Sequence, residues 1–141
     1  MTAVQAVLLP LFLHVALIVI LAGTMGRGRG AALRAKEVRM GDIALDSRAW
    51  PERLRKFSNN YDNQFQQPML WYAATALLIA TGLADSMAVA LSWLYFLTRL
   101  AHSFIHTGSN YIPHRFHAFL ASVIALVALW LWLALRVYGV A

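Results

Sequence analysis

Cysteine is absent from the 141 residues, which removes disulfides, thiolate-bound zinc and a cysteine nucleophile together. Any thiol chemistry must therefore use a thiol that a ligand brings. Acids are scarce as well, six Asp and Glu against twelve Lys and Arg. No Lys or Arg precedes the first apolar run, while Arg27 and Arg29 follow it. That is the reverse of a secretory signal's charge order, so an uncleaved membrane span is expected. No internal repeat or low-complexity tract interrupts what reads as one domain without linkers. The segment GRGRG lacks the strand, the helix and the Lys-Ser/Thr of a phosphate-binding loop, and is expected to be a flexible, basic juxtamembrane anchor.

What is present is apolar: 60% of the residues are hydrophobic and 13% charged, too apolar for a soluble domain of this length and enough for several membrane spans. Basic residues beside apolar runs account for the net charge of +6 as topology signals facing anionic lipid. No basic stripe with interleaved aromatics points to nucleic acid. Four spans are expected, at about residues 3–25, 66–84, 87–106 and 115–138, with a cytoplasmic loop at about residues 27–62. That loop holds nine of the twelve Lys and Arg and five of the six acids, so the positive-inside rule puts it in the cytoplasm and both termini outside. The fold expected is an all-α integral membrane four-helix bundle.

Within this frame the segment RLAHSFIHTGSNYIPHR, Arg99 to Arg115, stands out. Arg99, His102 and His106 fall within roughly 60° of one another on a helix, with Tyr95 on the same stripe. A charge near mid-membrane costs on the order of 2.5 to 3.5 kcal/mol, so such residues face a bundle interior or a polar cavity. The stripe reads as one wall of a site. A second helix is expected to start at Pro51 and run to about Leu83, with a kink at Pro68 that frees the Gln64 carbonyl. Its residues Arg55, Asn59, Asp62, Asn63 and Gln66 share one face, open both to solvation and to function. Arg53 and Lys56 read as solvated. Asp42 and Asp46 read as turn or cap residues, and His14, in the first span, as bonded to a neighbouring helix.

Arg115, near a helix N-terminus, adds a fixed cation to unpaired backbone donors and suits an anion or a developing thiolate. A guanidinium does not give up its proton, so its role is electrostatic. His102 with His106, and His114 with His117, have ligand-like spacing. No acid lies among them and no HExxH pattern is formed, so no metal is expected. His114 and His117 read as interface histidines.

The chain resembles the membrane-associated proteins in eicosanoid and glutathione metabolism, the MAPEG family. Arg99, His102, Pro113 and Arg115 recur at the spacing of the prostaglandin E synthase branch. A second motif at the start of span two is matched by Glu52, Arg53, Arg55, Asn59, Asp62 and Pro68. The pattern YDNQFQQP followed by RLAHSFIHTGSN resembles a bacterial branch of the family. The resemblance implies a homotrimer in the bacterial inner membrane that binds glutathione, or a similar low-molecular-weight thiol, between neighbouring subunits near the cytoplasmic side. It implies that Arg115 stabilises the thiolate, and that Arg55, Asn59 and Asp62 on span two, with Arg99 and His102 on span three, hold the tripeptide. Two positions depart from the pattern: His106 stands where the prostaglandin branch has Tyr, and Asp62 replaces a Glu, leaving Asn63 or Gln66 as alternatives for that acid's role.

The function expected is a membrane-bound, glutathione-dependent transferase or peroxidase acting on lipophilic electrophiles, with lipids and its own copies as further partners. The rival reading is a non-catalytic membrane protein of the same fold that binds lipid or a small anion. A transporter is disfavoured, because no polar path continues across all the spans.

Overall fold

Side chains that occupy open backbone groups start three of the elements. The Thr2 hydroxyl accepts from the Gln5 amide at 3.2 Å while the Gln5 side chain accepts from the Thr2 amide at 2.9 Å, a reciprocal capping box that starts the first helix. The computed structural model describes residues 1–140, and all its regular elements are helical. They are α1 (Ala3–Arg34), a short α2 (Met40–Ile43), a 3₁₀ turn (Ser47–Ala49), α3 (Glu52–Asn63), α4 (Pro68–Ala80), α5 (Ser86–Thr107) and α6 (Ile112–Val137). Three of them, α1, α5 and α6, are long and apolar enough to cross a membrane.

The first helix corrects the sequence reading. It does not stop near Met25 but runs through GRGRG to Arg34. Glycine is a poor helix former, and tertiary packing overrides that weakness. Ala32, Trp50 and Leu54 form a small buried cluster, and Gly28 lies so close to α3 that an added Cβ would stand 2.6 Å from Leu54 Cδ2. The Arg29 guanidinium sits 4.9 Å above the Trp50 ring and donates to Ser58 Oγ at 2.8 Å. Asp46 accepts from the Arg48 amide at 2.9 Å and caps the 3₁₀ turn. That backbone bond, with the Arg48 side chain beside it, holds the Asp46 carboxyl below the usual carboxylate range.

The second expected helix is also corrected, from one kinked rod to two helices separated at residues 64–67. Pro68 carries no N–H and its ring crowds the carbonyl four residues back, so the chain breaks there and restarts with Pro68 in the first turn of α4. The 13 residues of α4 span about 20 Å at 1.5 Å per residue, short of the roughly 30 Å hydrocarbon core. The last helix starts three residues earlier than expected, at Ile112, with Pro113 in its first turn.

Trp71, Ala74 and Leu78 of α4 pack with Ala88, Tyr95 and Phe96 of α5 and with Ala125, Leu126, Leu129 and Leu133 of α6 as one buried core. Phe12, Val19 and Ile20 of α1 and Ile124 and Leu131 of α6 are exposed, the outward apolar surface a lipid environment covers. The α4–α5 turn closes through Gly82, at φ +70°. There the Leu83 amide reaches the Leu78 carbonyl at 2.9 Å and the Gly82 amide the Ile79 carbonyl at 3.1 Å, a helix stop that favours glycine.

Asp85 ties the start of α5 to the far end of α6. It accepts from the Ala88 amide at 2.9 Å and from Trp132 Nε1 at 3.0 Å, and it pairs with Arg136 at 3.4 Å. Asp85→Ala is expected to cost about 1 kcal/mol for the lost cap, with further loss from the two α6 contacts. Asp85→Asn, which keeps the cap, loses less. Thermal unfolding in detergent gives the order.

Candidate functional site

The break between α3 and α4 organises two polar layers, one sealed and one open. Gln64, in the break, is fully buried. Its Oε1 accepts from His14 Nε2 at 3.0 Å and from Arg99 Nη2 at 3.4 Å, while its Nε2 donates to the Asn60 carbonyl at 2.8 Å and to Ser103 Oγ at 3.2 Å. An amide oxygen only accepts, so His14 carries its proton on Nε2, and in the neutral ring Nδ1 accepts from the Tyr72 hydroxyl at 2.6 Å. One side chain thus joins α1, α3 and α5.

Arg99 belongs to this sealed layer. It is 1% exposed and donates to the Asn63 carbonyl at 2.8 Å. That carbonyl stands at the C-terminus of α3, where helix carbonyls lack intrahelical donors and carry partial negative charge. Among the described residues no carboxylate lies within ion-pair distance of Arg99 or Arg115.

The open layer is a cleft of about 520 Å³ between α3, α5 and α6. Asn59, Asp62, Asn63 and Gln66 form one side, His102 and His106 the floor, and Arg115 with Ile112, Phe116 and Phe119 the other side. A second cleft, of about 620 Å³, adjoins it and shares Asn59, Asp62 and His106. Arg55 lines this second cleft, with Arg29 and Lys56. Seven of the nine residues singled out by the sequence therefore line the first cleft and Arg55 its neighbour, whereas Arg99 lines neither. His114 and His117 are exposed and line neither cleft.

Two features aim at a ligand. Nε2 of His102 and Nδ1 of His106 are buried without a hydrogen-bond partner, in rings whose centroids lie 5.5 Å apart. A buried polar atom left unpaired costs on the order of 1–3 kcal/mol, a deficit that a bound polar group removes. Arg115 is held from one end only: its Nη1 donates to Asn110 Oδ1 at 2.5 Å. Asn110 adopts φ +52°, a left-handed geometry that asparagine tolerates, and so anchors the guanidinium from the α5–α6 turn. Chemically, the cleft offers a fixed cation, two imidazoles, several amides and an apolar wall. Among the described residues no three His, Asp or Glu side chains gather as a metal-binding group.

Sequence reading missed Gln64 and the apolar wall. The Asn/Gln-rich run gives no sign of which amide turns inward, although Phe119 lies one helical turn beyond Arg115. Gln64→Leu, which strands the His14, Arg99 and Ser103 partners, is expected to destabilise the fold by about 1–3 kcal/mol. His14→Phe, which leaves the Arg99 contacts in place, costs less. Unfolding curves in detergent rank the two.

No curated protein and no solved structure matches the chain. The model of the MAPEG family matches residues 7–135. With that match and three helices able to cross a membrane, the chain is an integral membrane protein that belongs to the MAPEG family.

Proposed function

We propose that this protein binds glutathione, or a similar low-molecular-weight thiol, in the cleft between α3, α5 and α6, and joins or exposes that thiol to lipophilic electrophiles as a transferase or peroxidase. Arg115 stabilises the thiolate. Family membership supports a glutathione- or eicosanoid-related role in the membrane, and one observation carries the reading further. A guanidinium with no carboxylate partner among the described residues stands with Ile112, Phe116 and Phe119 on one side of a cleft floored by two histidines, each with a buried, unpartnered ring nitrogen. A preorganised cation in a partly dry cleft stabilises developing negative charge far better than water does.

The three-sided polar set suits a small zwitterion. Asn59, Asp62, Asn63 and Gln66 offer amide and carboxylate groups for its backbone, Asp62 being the acid for an amino group, and Arg55 in the adjoining cleft offers a cation for a carboxylate. Arg99 supports the ligand indirectly, by holding the Asn63 backbone. The apolar side suits a substrate that arrives from lipid. In the membrane the protein is read as four crossings, α4 and its preceding break making the short one, with both termini periplasmic and the basic segment in the cytoplasm of a bacterial inner membrane. Three copies assemble, with the cleft closed by a neighbour.

The rival reading is a non-catalytic binder of lipid headgroups or a small anion. The Asn110 bond that already occupies one Arg115 nitrogen favours it.

Glutathione at millimolar concentration is expected to raise the melting temperature of the detergent-solubilised protein, because a ligand held only by the folded state stabilises it. Arg115→Ala is expected to lower glutathione conjugation or hydroperoxide reduction by about 10²-fold, and Arg115→Lys to recover part of the loss. A rate unchanged in Arg115→Ala removes the thiolate role. Binding without turnover selects the rival.

A further inference from the structure

Arg115 leaves a proton without a destination. A guanidinium stabilises a thiolate but does not accept the proton that ionisation releases. The chain has no cysteine to relay it, and Asp62, the one acid lining the cleft, is exposed to solvent.

We propose that His102 is the general base of this site, taking the thiol proton on Nε2. This rests on the thiol-binding reading above and adds a catalytic residue to it. His102 is 4% exposed and lines the cleft. Its Nδ1 lies 3.2 Å from the backbone carbonyl of Arg115. A carbonyl oxygen only accepts, so the hydrogen of that bond sits on Nδ1. In the ring with a single proton, Nε2 then holds the lone pair, and Nε2 is the atom that is buried with no partner. A histidine that lines a cleft, oriented through one nitrogen and with the other left as an unused acceptor, is the arrangement general-base catalysis needs.

The same bond joins base and cation. Because the acceptor is the carbonyl of Arg115 itself, the imidazole and the first turn of α6 are held in one register. His106 is less well defined, since its Nδ1 has no partner to set a tautomer. The charged and titratable groups around His102 are Arg99 and His106 on α5, Arg115 on α6 and Asp62 on α3, while α1 contributes no residue to this cleft. Arg115, which presents its charge to the cleft, favours the thiolate over the thiol.

For an activated alkene the step balances without an oxidant. The S–H bond breaks, its proton passes to Nε2 and the electron pair stays on sulfur. The thiolate adds to the β-carbon, the carbon–sulfur bond forms and the π pair moves toward the activating carbonyl. The imidazolium then returns its proton to the α-carbon, and the product is a thioether. The substrate class that this step and the apolar side fit is a lipophilic α,β-unsaturated carbonyl compound, its chain lying against Ile112, Phe116 and Phe119.

The test compares wild type with His102→Asn, whose amide N–H stands where Nδ1–H stood and keeps the bond to the Arg115 carbonyl while Nε2 is lost. Glutathione affinity, the ultraviolet absorbance of bound thiolate, and conjugation to a lipophilic enone are followed in detergent from neutral pH to above the thiol's own pKa of about 8.5–9. The variant is expected to bind glutathione more weakly, so thiolate signal and rate are compared at saturating glutathione. At neutral pH it shows no thiolate signal and about 10²-fold less kcat/KM. It regains wild-type rate where hydroxide ionises the thiol unaided. Equal rates at neutral pH, or a deficit of the same size at every pH, overturn the assignment. Wild type that fails to bind glutathione overturns the thiol-site reading itself, and this proposal with it. Nitrogen NMR of the histidine rings in unliganded wild type gives a second measurement that needs no variant to fold. A lone pair on His102 Nε2 is expected, and a proton there in the neutral ring overturns the proposal.

Discussion

A buried guanidinium meeting the end of a broken helix is the interaction on which the rest depends. Arg99 is removed from water and has no carboxylate within ion-pair distance among the described residues, so its charge must be offset by dipoles. The Asn63 carbonyl at 2.8 Å supplies one, at the negative pole of α3, and the Gln64 amide oxygen at 3.4 Å supplies another. Pro68 makes the break possible by withholding an N–H and crowding the preceding turn. Arg99 and Gln64 make it a fixed shape. Hydrogen bonds to a charged partner are worth more than neutral ones, and losing them inside a low-dielectric core strands both sides.

From that fixed shape the open cleft follows. With the ends of α3 and α4 pinned to α5, Asn59, Asp62, Asn63 and Gln66 face His102, His106 and Arg115 across a gap rather than packing against them. The two arginines, sixteen positions apart, are therefore not equivalent. Arg99 holds the scaffold from behind, and Arg115, anchored by Asn110 from the α5–α6 turn, presents its charge to the cavity. Polar groups held by second partners need little reorganisation when charge develops between them. Ile112, Phe116 and Phe119 of α6 line the same gap, so the cleft has an apolar surface beside its polar one.

The polar stripe was legible because α3 is regular as far as Asn63, so helical spacing places Arg55, Asn59, Asp62 and Asn63 on one face. Gln66 lies beyond the end of α3 yet still reaches the cleft, because Gln64 and Gln67 on either side of it keep right-handed helical dihedrals. Gln64 was not legible. Four Asn and Gln residues within a few positions satisfy a polar pattern equally, and only the facing His14 and Ser103 choose which of them turns inward. GRGRG misled for the same kind of reason: its composition speaks of a flexible chain, whereas Leu54 and Trp50, more than twenty residues on, provide the surface that keeps it helical.

What the amino-acid order determined by itself was whatever obeys short-range rules: apolar length, helical period, the caps at Thr2 and Asp85, the stop at Gly82 and the interruption at Pro68. The direction in which each buried charge points was decided only by the tertiary structure. Arg99 reaches its carbonyl partner across 36 positions of sequence, and His102 reaches the Arg115 carbonyl across a turn between two helices. A side chain's partner, and with it the nitrogen left without one, depends on what another helix brings to within 3 Å or so, and no local pattern contains that distance.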